Sequence, residues 1–400
     1  MKTNKKSTLF SFDGKPSLKD VAPLGLQHVV AMIVGCVTPA LIVASVAELN
    51  PSDKVLLVQA SLFFSGIATL IQIFPIGGVI GSRLPIIMGV SFAYVPTLTA
   101  IAGEFNIATL FGSQLVGGLV AILFGIFLKK LSYLFPPLVT GTVILSIGLS
   151  LYPVAIKYIA GGAGSPDFGS PQNWIIAMIT LAVVIYFNHF TKGTLKLASI
   201  LIGMIVGYVI SIFLGIVSFD AVREASLFQA PRFMHFGINF NTTAIVSMVI
   251  MYVVNSVQAI GDLSAATGGG MDRLPTDKEL SHGIIGFGFT GIISAFFGCM
   301  PTATYSQNVG IVTVTKVINK WIFIFASFIV ILTGLIPKFA SILSVALGMG
   351  IVQVPNSLAL FPSWFISIFG KSSVVVTTLV AILLNLLLPQ DNSKDVKSNT

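Results

Sequence analysis

The sequence predicts an all-α polytopic membrane protein, and three observations carry that reading. Hydrophobic residues make up 55% of the chain and charged residues only 9%, whereas soluble domains carry about 25% charged residues. Apolar runs of about 20 residues, the length that crosses a bilayer as a helix, recur from Leu24 to Leu388. The cations collect in short loops and tails between those runs, as membrane topology requires. At bilayer depth only helices and closed barrels satisfy their own backbone, so uninterrupted runs of this length are read as helices.

Thirteen apolar segments follow in order, near 24–46, 54–75, 84–103, 109–128, 131–157, 173–190, 195–218, 243–266, 282–299, 303–318, 321–336, 338–354 and 371–389. The stretch 1–22 is a polar, lysine-bearing tail and lacks the pattern of a cleaved signal peptide. Segments one to seven (23–218) and eight onward (243–389) are taken as two units, with a polar tail at 390–400. Lys2, Lys5, Lys6, Lys15 and Lys19 precede the first segment; Arg83, Lys129, Lys130, Lys192, Lys196, Arg273, Lys278, Lys316 and Lys320 follow even-numbered ones. These fall on one side if the N-terminus is cytoplasmic. Arg223 and Arg232, after the seventh segment, are the exceptions.

The third and tenth segments differ from the rest. One reads Pro85-Ile-Ile-Met-Gly-Val-Ser91-Phe-Ala-Tyr-Val-Pro96, the other Pro301-Thr-Ala-Thr-Tyr-Ser-Gln307-Asn308-Val-Gly310. Each has a proline six residues before a polar residue and is poor in helix formers. They occupy equivalent places if seven segments form one repeat. That is the pattern of inverted repeats whose broken helices meet at a midmembrane site. Kinked but continuous helices are the alternative.

Polar groups at midmembrane depth concentrate in four segments: Gln27 and His28 in the first, Ser91 in the third, Asn255, Gln258 and Asp262 in the eighth, Gln307 and Asn308 in the tenth. Asn255, Gln258 and Asp262 share a helix face through their spacing of three and four. Asp262 is the only one of fourteen acidic residues placed within an apolar segment rather than in a terminus, loop or segment end. A carboxylate there is costly, and it points to ion coupling or substrate binding; the bland alternative is a helix-end residue that reaches headgroups or caps the next turn. Amides offer donors and acceptors together, as a heterocycle edge needs, but they also serve as packing glue between helices. His28 fits either a proton relay or a structural tie between the first and eighth segments.

Catalysis and nucleotide hydrolysis are not encoded. No GxxxxGK[ST] loop is present, no Cys/His spacing suits a metal, and Cys36 and Cys299 imply no disulfide framework. The net charge of +8 sits in membrane-flanking loops and is not a nucleic-acid signature.

The stretch Gln307-Asn308-Val-Gly310-Ile-Val-Thr-Val-Thr315-Lys316 resembles the signature of the nucleobase–cation symporter-2 family, also called nucleobase–ascorbate transporters. Leu24-Gly-Leu-Gln27-His28 and Gln258-Ala-Ile-Gly261-Asp262 are similar to the family's first and eighth spans. The resemblance implies two inverted seven-helix repeats divided into core and gate domains, with the broken third and tenth spans paired as short strands. It implies that Gln307, Gln258, Ser91, Phe92 and Gly310 line the substrate site, with Phe92 stacking on the base. Asn308, His28 and Asn255 would support the site, His28 by bracing the eighth span, and Asp262 would couple the proton. It further implies a homodimer, no cofactor beyond a proton in preference to sodium, and residence in the cytoplasmic membrane.

Three departures accompany the resemblance. Gln258 stands where the family usually has glutamate, and an amide donates as well as accepts. Phe287 stands where purine-transporting relatives often have aspartate. The stretch 339–344 runs straight into 345–348, which joins the end of one family segment to the end of a later one and leaves thirteen segments in place of fourteen. The expected function is import of a nucleobase, a purine such as xanthine or uric acid, by proton symport. A uracil permease, or a shortened member that binds base without transporting it, are the alternatives. An anion exchanger of the same architecture is disfavoured, because no cation stands at the proposed site.

Overall fold

A computed structural model describes residues 8–131, 168–191, 199–215 and 227–340, with positions 156, 159–161 and 195 between them. In chain order its elements are α1 (Leu18–Val46), α2 (Pro51–Ile73), β1 (Met88–Val90), α3 (Val95–Glu104), α4 (Ile107–Ile126), α5 (Pro171–Phe190), α6 (Ser199–Phe213), α7 (Thr242–Ala265), α8 (Asp277–Ala295), β2 (Thr302–Thr304), α9 (Ser306–Thr315) and α10 (Lys320–Leu335). Among the described residues, five helices are long and apolar enough to cross a membrane: α1, α2, α4, α5, and α7 with its continuation to Gly270. Most of the fifth segment and of the twelfth, the whole thirteenth, the 344–345 junction and the C-terminal tail lie outside the described residues.

Polar residues in the loops punctuate the apolar runs. Side chains of Asn50, Asn106, Ser170, Asn241 and Asn319 each accept from a backbone N–H in the first turn of α2, α4, α5, α7 and α10, satisfying donors that have no partner within the helix. Thr276 and Glu279 form a reciprocal capping box on α8. That cap starts α8 five residues before the apolar run at 282, just as α1 starts before 24. A search for hydrophobicity misses a polar first turn.

The third and tenth segments are broken rather than kinked. Each begins as a short strand, β1 or β2, and continues as a half-helix, α3 or α9. The strands pair antiparallel, with Met88 opposite Thr304, Gly89 opposite Ala303 and Val90 opposite Thr302. Unwound backbone is tolerable at this depth only if protein satisfies it, and it does. The Ser91 N–H donates to the Pro301 carbonyl and the Tyr305 N–H to that of Ile87. Ser65 and Thr69, one turn apart on α2, accept from the N–H groups of Val90 (3.3 Å) and Met88 (2.9 Å). The Tyr305 hydroxyl donates to the Val90 carbonyl at 2.7 Å. Gly89 is needed here, because a Cβ would lie 2.6 Å from the Tyr305 ring.

Packing follows a seven-segment exchange. The fourth segment, α4, packs on the eighth and ninth, α7 and α8; the eleventh, α10, packs on the first and second, α1 and α2. Adding or subtracting seven converts one set into the other, the signature of inverted repeats. Gln114 on α4 donates to the Gly291 carbonyl of α8 at 2.9 Å, while Gln59 on α2 donates to the Gly334 carbonyl of α10 at 3.0 Å. Close crossings use glycine on both sides of the exchange: a Cβ on Gly288 would stand 2.6 Å from the Gly118 carbonyl oxygen, and one on Gly334 would stand 2.6 Å from the Phe63 nitrogen. β1 and β2 lie where the two halves meet.

A strap preceding α1 crosses to the start of α10. The Asn319 amide donates to the carbonyls of Thr8, Ser11 and Gly14, and Asp13 bridges Lys320 Nζ (2.7 Å) and Arg83 Nη2 (3.2 Å). Lys320 and then Arg83 hold the Asp13 carboxyl below its ordinary range.

Candidate substrate and coupling site

Asp262 lies in the last turn of α7, before a π-helical turn over Ala266–Gly270. It is only 7% exposed, so it does not reach headgroups, and its carboxylate does not cap the turn that follows. One carboxylate oxygen accepts from the Thr304 hydroxyl at 2.5 Å, the other from the Ser306 hydroxyl at 2.7 Å. Thr304 ends β2 and Ser306 begins α9, so this buried carboxylate holds the break in the tenth segment from both sides. Gln307 is the next residue.

Gln307 and Gly310 are exposed on one face of α9, three residues apart, and a Cβ on Gly310 would meet open space. Gln258 is half-buried one turn before Asp262, and its side-chain oxygen has no partner among the described residues. Asn255 is buried; its amide nitrogen donates to the Met251 carbonyl at 3.0 Å and its oxygen is unpartnered. Ser91 is buried and its hydroxyl accepts from the Ala93 N–H at 3.2 Å, starting the turn that leads into α3. Phe92 is half-buried in that turn.

His28 differs from the expectation in its partner. The resemblance implies a brace on the eighth segment, but the hydrogen bond is with the tenth: Asn308 Nδ2 stands 3.0 Å from both His28 Nδ1 and the His28 carbonyl oxygen. A carbonyl can only accept, so the Asn308 atom facing it is the NH2 group. The same group donates to Nδ1, which therefore carries no proton, and His28 is neutral with Nε2 protonated. The Phe323 ring, 4.9 Å away, packs against it. The reason is geometric: α9 is the half-helix packed beside α1, whereas α7 lies against α4. Asn308→Ala would strip this buried histidine of its donor and cost about 1–3 kcal/mol; a lowered melting temperature of the purified variant checks it.

Phe287 is buried and packs on Tyr252 with ring centroids 5.3 Å apart; Tyr252 packs on Tyr94 at the same distance. Among the described residues Asp262 is the only buried carboxylate. Thr304 and Ser306 escaped the sequence reading. They are hydroxyls flanking Tyr305, and no local spacing announces a partner more than forty residues away. Gln59, Gln72 and Gln114 were missed too, although each is an amide inside an apolar run.

Residues 19–354 match a protein family, Xan_ur_permease, described as a permease family. The chain belongs to the nucleobase–cation symporter-2 family. It is a permease and not an enzyme. The chain is 36% identical to the "Xanthine permease" of Bacillus subtilis over 319 residues, taking in 80% of this chain and 72% of that one. It is 32% identical to the "Uric acid permease PucJ" of the same organism over 425 residues, taking in 94% of each. That alignment is longer than this 400-residue chain, so the permease PucJ has residues that this chain lacks within the matched region. Among solved structures, the transmembrane domain of the cyanobacterial bicarbonate transporter BicA has the same fold, with TM-score 0.56, 15% identity and coverage of 93% and 97%.

Proposed function

We propose that this permease imports an oxidised purine, xanthine or uric acid, by proton symport across the cytoplasmic membrane with its N-terminus inside. The observation that carries the reading is the pair of hydroxyl contacts from Asp262 to Thr304 and Ser306, immediately before Gln307. An ionised carboxylate accepts both hydroxyls; a protonated one becomes a donor and must rearrange one of them. Proton occupancy of Asp262 is thereby tied to the start of the half-helix that presents Gln307 and Gly310. A ligand shifts a conformational equilibrium only through different affinity for its states, and this contact supplies such a difference.

In this scheme Gln307 and Gln258 hold opposite parts of the base edge, and Phe92 lies against its plane. Gln258 and Gln307, unlike carboxylates, can donate to ring carbonyl oxygens and accept from ring N–H groups; xanthine and uric acid carry both. The relatives named for these two bases favour a purine over uracil. Gln307→Ala should raise the KM for uptake about tenfold to a hundredfold, the loss of one hydrogen-bonding partner for a base enclosed in the site. An unchanged KM would remove Gln307 from the site.

The deciding experiment is uptake of radiolabelled xanthine by transporter-deficient cells, with uracil, uric acid, hypoxanthine and guanine as competitors and with or without a protonophore. Protonophore-sensitive uptake blocked by purines but not uracil is the expected result. Uptake blocked by uracil identifies a pyrimidine carrier. Base binding to purified protein without uptake identifies a chain whose missing residues have cost it transport.

A further inference from the structure

A second hollow lies away from the midmembrane site. A cavity of about 700 Å3 opens where residues 73–83, the turn after α7, the first turns of α8 and the start of α10 meet the strap. Its size is that of a small-molecule pocket, and its chemistry is cationic. Arg83, Arg273, Lys278 and Lys320 line it against two carboxylates, Asp13 and Glu279, with His282 beside them. Both carboxylates are committed: Glu279 takes both guanidinium nitrogens of Arg273, at 2.5 and 2.9 Å, and Asp13 is shared between Lys320 and Arg83. Lys278 enters no ion pair among the described residues. Its two arginines and two lysines against two carboxylates leave the lining a surplus of two positive charges.

Gly78, on the cavity wall, has φ +73° and open space where a side chain would stand, so a ligand can approach the backbone.

We propose that this cavity binds a phosphate monoester dianion, engaged by Arg83 and Lys278. The dianion matches the surplus of two charges. Guanidinium meets phosphate oxygens through paired N–H groups and lysine through a point charge. The bases proposed for the other site carry at most one negative charge near neutral pH. Two sources carry this chemistry, a soluble phosphate ester and the headgroup of phosphatidic acid.

The test is thermal unfolding of the purified full-length protein in detergent, with inorganic phosphate titrated against potassium chloride of equal ionic strength, and separately in micelles doped with phosphatidic acid or phosphatidylcholine. Lys278→Gln and Arg83→Gln are run beside the parent. Both change partly exposed side chains, so each should melt close to the parent without anion. A saturable rise of a few degrees with phosphate beyond the chloride control, lost in Lys278→Gln, supports a soluble ligand. A rise with phosphatidic acid alone, lost in the same variant, supports the lipid headgroup. No rise with either, or equal rises in parent and both variants, overturns the site.

Discussion

Asp262→Asn should bring the ratio of internal to external base to one while base binding to purified protein persists. Asparagine is nearly isosteric and still offers an oxygen to one of the two hydroxyls, Thr304 or Ser306; the other can turn to accept from the new NH2 group. The break between β2 and α9 therefore stays held and the site keeps its shape. The ionisable group is gone, and with it any difference in proton occupancy between states, so no gradient can drive accumulation. Ser306→Ala, which removes one contact and keeps the carboxylate, should give an intermediate phenotype with accumulation reduced and its pH dependence displaced. The measurement is steady-state uptake in vesicles with an imposed proton gradient, paired with equilibrium binding of the labelled base. Concentrative uptake by Asp262→Asn at the parent level would end the coupling role of this residue.

Gly288→Ala and Gly334→Ala should each destabilise the fold by about 1–3 kcal/mol, the usual cost of forcing one methyl group into a closed helix crossing. The first places a Cβ 2.6 Å from the Gly118 carbonyl oxygen, the second 2.6 Å from the Phe63 nitrogen and 2.8 Å from the Gln59 oxygen. In both cases the obstacle is backbone, which cannot swing aside as a side chain can. The positions sit at related crossings, α8 on α4 and α10 on α2, so comparable losses are expected from two sites that no local sequence similarity links. They share no contacting residue, so the double variant should lose close to the sum. Unfolding midpoints of the three proteins provide the check, and a tolerated Gly334→Ala would show that the second crossing is looser than the first.

The architecture was readable because membranes impose few solutions. Apolar run length located the helices, and Pro85, Pro96 and Pro301 together with weak helix formers marked the two broken segments. What could not be read was the partner of each polar group. Asp262 stood out as a buried charge, but its two hydroxyls come from the far side of a fold-back through α8. His28 meets the tenth segment and not the eighth for a similar reason. Its sequence spacing gives its position on the face of α1, while its bond to Asn308 depends on which half-helix lies beside that face. Helix starts were misplaced wherever a capping residue such as Thr276 added a polar turn ahead of the apolar run.

The pairing of β1 with β2 also sets a timetable. The residues that satisfy each other across this junction are about 215 positions apart in the chain, and ribosomes add roughly 5–20 residues per second. For roughly ten to forty seconds of synthesis the first strand is in the membrane with its partner not yet made. Its backbone groups then have the hydroxyls of Ser65 and Thr69 and little else, in a medium that supplies no water to replace the missing strand. The junction is thus completed only after three quarters of the chain has been made. A nascent chain arrested before residue 302 carries most of the helices and none of the finished junction.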